Sequence, residues 1–493
     1  MSDSGSDSGR ALFIMTEPVP SAGLPLTRNG IEYAWRELAR RAGLADLAAV
    51  RFTYGDTSFG PARRDVPEVR VIPCRPTAFE TIVSEASSPP SWLEADAVMP
   101  AGMSLPVGDS IPVLFRGQGF EDGTRPFAER QQDGSVLFYA DIVAATCFML
   151  SRWEETVVSA RDAKGRFPDS AAAALRLGFT DRPIVDEYAL VLREWVRSLL
   201  SGWEPVTGRF EVRLSHDIDW LHRPRNFRQL TRSLAGDLLR RRNPGLAVRT
   251  FRSLSEAAVE AAAPWSARRY RAIGALAGLS RRHGLSSTFY FMAARPGRFD
   301  TGYDVGSRLC RRCIAGLRRD GHEIGLHGSY ASFDNSDILA AEKRWLEEVV
   351  GGGLAGSRQH WLRFRVPHTW RLLEQAGLEH DSTMGWTEHE GFRCGTCHPF
   401  RPFDVEQDRE LSIVEIPLVL KETTLMYYRG LLPDAAEALT FELARRCRQV
   451  EGVFTLLWHN MLLDREKREW VKTYGQILGG LARLAGRDGR GPA

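Results

Sequence analysis

Residues 214–220 read "LSHDIDW", an apolar run ending in two aspartates with one isoleucine between them. Side chains alternate faces along a strand, so Asp217 and Asp219 point one way and His216 and Ile218 the other. Two carboxylates on one buried face repel each other and are poorly solvated, which is costly unless a cation sits beside them. A divalent metal held by one acid resolves the conflict and leaves the other as a proton acceptor. His327 ends the segment "GHEIGLH", and its neutral imidazole suits Zn2+, with Co2+ or Ni2+ as alternatives. Arg358, in "SRQHWL", could pair with a carboxylate and fix its rotamer. His459 ends "VFTLLWH" much later in the chain, a position that suits a general acid better than a ligand.

These residues share one kind of location. From about Arg209 to Leu481, strand-like segments ("FEVRLSHDID", "SSTFYFM", "HEIGLH", "SRQHWL", "SIVEIPLVL", "VFTLLWH") alternate with helical ones such as "GSRLCRRCIAGLRRDG" and "DILAAEKRWLEEVVGG". That alternation implies parallel strands with helices outside, as a barrel or a doubly wound sheet. Ionisable residues gathered at the C-terminal ends of several strands favour the barrel, whose active site lies at that end. An open sheet gathers fewer strand ends at its switch point. No glycine-rich phosphate loop follows the first strand, which argues against nucleotide binding. The expected fold is therefore α/β, a distorted (β/α) barrel over 209–481. A mixed α/β domain over 11–205 precedes it, with helices in "RNGIEYAWRELARRAG", "FYADIVAATCFMLSRWEE" and "DEYALVLREWVRSLL". In the second of these, Ile142, Ala145, Phe148 and Met149 are expected to form the apolar stripe.

Residues 209–465 resemble the NodB-homology polysaccharide deacetylases, carbohydrate esterase family 4. The resemblance rests on "HDID", "GHEIGLH", "SRQHW" and "TLLWHN". It implies Asp217 as catalytic base, Asp219 and His327 as metal ligands, Arg358 as the residue that orients the base, and His459 as acid to the leaving amine. The family's second metal histidine falls at Ala331 here, in "HGSYAS", so one ligand is missing from its usual place. His360 stands where the third motif normally has proline, and is the candidate substitute ligand or substrate contact. The implied reaction is removal of an N-acetyl group from an amino sugar in a polysaccharide or glycan precursor. A backbone N–H near His360–Trp361 would face the oxyanion, and Trp361 and Trp458 would stack on sugar rings. The segments "LSRWEE" and "GRFPDS" are similar to an accessory region that precedes such domains in some bacterial polysaccharide-cluster proteins. Two rival readings are a non-catalytic glycan-binding or assembly protein that kept the fold, and a hydrolase of another carbon–nitrogen amide bond.

Composition narrows the setting. The chain has 493 residues, 43% hydrophobic and 26% charged, with a net charge of +3. So small a charge gives no argument for nucleic acid. The start "MSDSGSDSGR" is polar, read as a disordered tail over 1–10, and lacks the form of a signal peptide; 482–493 is read as a second flexible tail. No run of about 18 apolar residues spans a membrane. A cytoplasmic chain with reduced cysteines is expected. The pairs Cys310/Cys313 and Cys394/Cys397 have zinc-site spacing, but helical packing with Leu309, Cys313 and Leu317 on one face is the favoured reading. A basic insertion over 221–263, with Arg240, Arg241 and Arg242, is either a solvated face or a contact for an anionic or lipid-linked glycan, or for a membrane surface.

Overall fold

A computed structural model describes residues 26–45, 49–60, 66–84, 90–105, 107–120, 125–221, 263–295, 297–300, 303–463 and 468–486. The N-terminal tail, the first strand candidate "ALFIM", residues 222–262 of the basic insertion and 487–493 lie outside them. The chain forms two compact units. The first takes 1–211, 361–420 and 443–454; the second takes 212–360, 421–442 and 455–493.

The first unit carries α1 (Arg28–Ala42), α2 (Ile142–Ser151) and α3 (Ile184–Leu199), packed on one another. Thr27 caps α1 through its hydroxyl, and Gly43 ends it in the left-handed conformation. A five-stranded mixed sheet has the order 57–59, 51–54, 68–71, 136–138, 128–130. α2 differs from its expected single stripe: every residue from Ile142 to Ser151 is buried. A helix apolar all round belongs inside a core. The helix expected to run on through "SRWEE" breaks at Arg152, whose φ of 51° is left-handed. The buried Arg152 guanidinium takes up Glu154, Glu155 and the Arg393 carbonyl, which accounts for the break.

The parallel strands are β1 (Glu211–Ile218), β2 (Ser287–Met292), β3 (Glu323–Gly328), β4 (Ser357–Gln359), β5 (His380–Asp381), β6 (Val414–Glu415), β7 (Leu420–Lys421) and β8 (Val453–Leu457). They form one sheet in the order β6-β5-β4-β3-β2-β1-β8-β7. Pairs β1–β2, β2–β3, β3–β4 and β5–β6 are parallel. This is the strand sequence of a barrel opened between β6 and β7. "SIVEIPLVL", expected as one strand, is split into β6 and β7 around Pro417, which has no N–H for a ladder.

The helices α4 (Arg268–Arg282), α5 (Arg308–Arg319), α6 (Ser336–Val350), α7 (His368–Gln375), α8 (Pro433–Gln449) and α9 (Arg468–Leu484) follow the strands. α5 and α6 pack on β3. α5 buries Cys310, Ile314 and Leu317, not the expected Leu309–Cys313–Leu317 face; Leu309 and Cys313 sit half-buried on its flank. The seven free cysteines include Cys394 and Cys397, both buried. No described helix is long and apolar enough to cross a membrane.

Candidate active site

Register aligns the strand ends. Ile218 pairs with Phe291, Phe291 with Leu326, and Leu326 with Ser357; one row further, Met292 pairs with His327 and His327 with Arg358. Asp219 follows Ile218 at that same end. β1 is polar and exposed at its start and wholly buried from Leu214 to Ile218, so its acids enter a dry environment. Close packing below the site needs Gly325: a Cβ there would lie 2.5 Å from the Tyr290 ring. That ring in turn lies 4.7 Å beneath the Arg358 guanidinium.

Arg358 is fully buried and donates to Asp217 Oδ1 at 3.2 Å and to Ser215 Oγ at 2.8 Å. Asp217 Oδ2 is then left 3.9 Å from both His327 Nε2 and His459 Nε2. His327 Nδ1 donates to the Arg358 carbonyl at 2.9 Å, which turns its Nε2 toward Asp219 Oδ1, 3.2 Å away. His360, just past β4, points Nε2 at the same oxygen from 3.7 Å. Its Nδ1 meets Asp300 Oδ1 at 3.1 Å. His459 Nδ1 is 2.6 Å from Glu422 Oε1, which also accepts the His459 backbone N–H at 3.0 Å.

The electrostatics follow from this enclosure. Burial alone would raise Asp219, but the imidazoles of His327, His360 and His459 around it hold it well below the carboxylate range. Burial opposes charge on His327, yet Asp217 and Asp219 raise its pKa. Burial opposes charge on His459 too, and Glu422, followed by the two aspartates, outweighs it and raises its pKa to about 9.

Asp219, His327 and His360 each present one ligand atom, all within 4.8 Å of one another. Asp219 Oδ1 is buried and accepts no well-formed hydrogen bond among the described residues. With both histidines donating through Nδ1, two imidazole lone pairs face that carboxylate oxygen, and a proton or a cation must lie between them. One carboxylate and two imidazoles fit Zn2+, Co2+ or Ni2+ with positions left open.

The other expected residues fall elsewhere. Trp458 is fully buried, its ring 4.5 Å from Tyr474, so it packs the core and offers no face to a sugar. Trp361 is 41% exposed with a left-handed φ of 62°. His216 lies on the opposite face of β1, between the Trp458 carbonyl and Ser287, and burial pushes its pKa down to about 3. His322 accepts from the Ser287 N–H, and His389 contacts Asp169. A second cluster, Asp186, Cys397 and His398, has ligand-like spacing. Asp186 there already pairs with Arg41 and takes the Thr396 hydroxyl and the Cys397 N–H, so its charge is met within the protein. Asp300 and Glu422 are site residues that sequence reasoning missed. Glu422 ends the apolar segment carrying β7, the same strand-end signal that marked the others.

A family model described as a family of unknown function (DUF7033) matches residues 45–201. Among solved structures, the chain is similar to a "putative polysaccharide deacetylase" from Mycobacterium smegmatis. Identity is 19% and the TM-score 0.37, over 57% of this chain and 86% of that one. No curated protein matches the chain.

Proposed function

We propose that this chain is a metal-dependent amide hydrolase that removes N-acetyl groups from an amino sugar in a polysaccharide or glycan precursor. The observation that carries the reading is one buried cluster of an arginine-clamped carboxylate, a carboxylate–imidazole ligand set and a carboxylate-backed histidine. Asp219, His327 and His360 would hold the cation. When bound, such a cation polarises the scissile carbonyl and makes water more acidic. Asp217 takes the proton of the attacking water, and Arg358 holds that carboxylate in orientation through its 3.2 Å contact. His459 gives a proton to the departing amine, with Glu422 fixing its orientation and charge. Its Nε2 lies 3.9 Å from Asp217 and 4.0 Å from Asp219, so acid and base border one reaction space. Trp361, next to His360 in the chain, is the proposed sugar-stacking surface. The segment 221–263 is the proposed contact for an anionic or lipid-linked carrier.

The test combines metal analysis of the purified protein with acetate release from N-acetylated oligosaccharides. Asp217→Ala should keep the metal and lose turnover by about 10²-fold or more. Asp219→Ala should lose both. Normal turnover and equal metal content in both variants would overturn the assignment. The observation favouring a second reading, a glycan-binding protein that kept the fold, is Ala331 at the family's usual ligand position. Wild-type protein that takes up no divalent metal would decide for that reading.

A further inference from the structure

We propose that Asp300 is the positioning residue that makes His360 a metal ligand, through a contact that the loop before α5 supplies to the end of β4. The inference rests on the metal-hydrolase reading above.

The geometry is local and over-determined. Asp300 Oδ1 meets His360 Nδ1 at 3.1 Å and accepts the Tyr330 backbone N–H at 2.7 Å. The preceding residue, Phe299, stacks on the Tyr330 ring with centroids 4.2 Å apart and planes 22° from parallel. The turn holding both is closed by the Gly297 N–H on the Asp300 carbonyl at 3.3 Å. Asp300 is thus latched to the residue immediately before Ala331.

What the contact does follows from imidazole chemistry. A neutral histidine has one N–H and one lone pair, and a carboxylate beside Nδ1 takes the N–H there. The lone pair is then on Nε2, the atom 3.7 Å from Asp219 Oδ1. A carboxylate behind a ligating histidine also raises its basicity as a donor. His327 is oriented by a backbone carbonyl, through Arg358, so the two candidate imidazoles have different supports. Without Asp300, the carboxylate that selects the Nδ1–H tautomer of His360 is gone, Nε2 is no longer fixed as the ligand atom, and a site already short of one ligand at position 331 is weakened further.

The probe is Zn2+ alone, titrated into the metal-free full chain by calorimetry or against a chromophoric chelator. Asp300→Ala should weaken Zn2+ binding about 10- to 100-fold. Asp300→Asn keeps an acceptor oxygen for both the Tyr330 N–H and His360, and should recover part of that loss with a wild-type melting temperature. His360→Ala should weaken binding at least as much as Asp300→Ala. Because Asp300 acts through His360, adding Asp300→Ala to His360→Ala should change the affinity no further. Nitrogen NMR of the metal-free protein should show His360 protonated at Nδ1 in wild type, and a mixed tautomer in Asp300→Ala. Wild-type affinity in Asp300→Ala, with binding lost in His327→Ala, overturns this inference and leaves the metal site standing. An equal further loss in the His360→Ala background reduces Asp300 to a loop anchor and overturns it too. No Zn2+ uptake by wild type overturns both readings together.

Discussion

Each ionisable residue of the pocket is specified by its neighbour. Asp217 and Asp219 are the same side chain two positions apart, yet one faces a guanidinium and the other two imidazoles. His216 stands beside them in sequence and is held neutral on the other face. The acid role depends most on Glu422, which is wholly buried and lies 2.6 Å from His459 Nδ1. Glu422→Gln keeps an oxygen in that position and removes the charge that stabilises the imidazolium. We expect kcat for acetate release to fall about 10²-fold with Zn2+ content unchanged. A variant with wild-type kcat would show that His459 needs no carboxylate partner, and would count against its role as acid.

At the scale of elements, helices hold the strand-end loops. Glu342 of α6 accepts the Ser329 backbone N–H at 3.0 Å, just after β3 delivers His327. Burial raises the Glu342 pKa from 4.5 to about 7. The folded state therefore binds this proton more tightly than the unfolded chain. Its contribution to stability is complete below about pH 4.5 and is lost as pH rises through 7. Glu342→Gln can still accept from Ser329 and has no proton to lose. Its melting temperature relative to wild type should rise between pH 4.5 and 7 and then level off, the gain corresponding to about 3 kcal/mol at most. A difference between the two proteins that does not change with pH would mean that Glu342 titrates normally.

For the whole molecule, the first unit raises the question of what folds alone. Its buried carboxylates find their partners late in the chain. Glu155 pairs with Arg393 at 2.7 Å, and Asp169 accepts the Thr387, Glu388 and His389 N–H groups. Asp186 takes the Cys397 N–H at 2.9 Å. Cutting the chain at 205 would leave Glu155 with Arg152 and Asp186 with Arg41, but would take the three N–H groups from Asp169 and weaken the other two sites; a buried charge stripped of its partners costs about 3–5 kcal/mol. We expect a fragment ending at residue 205 to lack a cooperative thermal transition that the full chain has. A fragment that melts sharply with native helix content would make 11–205 a self-sufficient domain.

The local pattern of the sequence was enough for the alternating strands and helices of 209–481, and for the facing of Asp217 and Asp219, because strand periodicity is written in consecutive residues. It also marked His327, Arg358, His360 and His459, since all of them lie within two residues of a strand's C-terminal end, and parallel strands in register bring such ends to one level. Tertiary structure alone decided which partner each received. Glu422 and Asp300 are separated from the histidines they support by 37 and 60 positions, and nothing local in the sequence pairs either acid with its histidine. Trp458 belongs to the same limit: its place next to His459 suggested a substrate face, and packing on Tyr474 closed it. The buried stripes of α2 and α5 were misplaced for the same reason. Periodicity tells which residues share a face, and only the packing of other elements determines how many faces are covered.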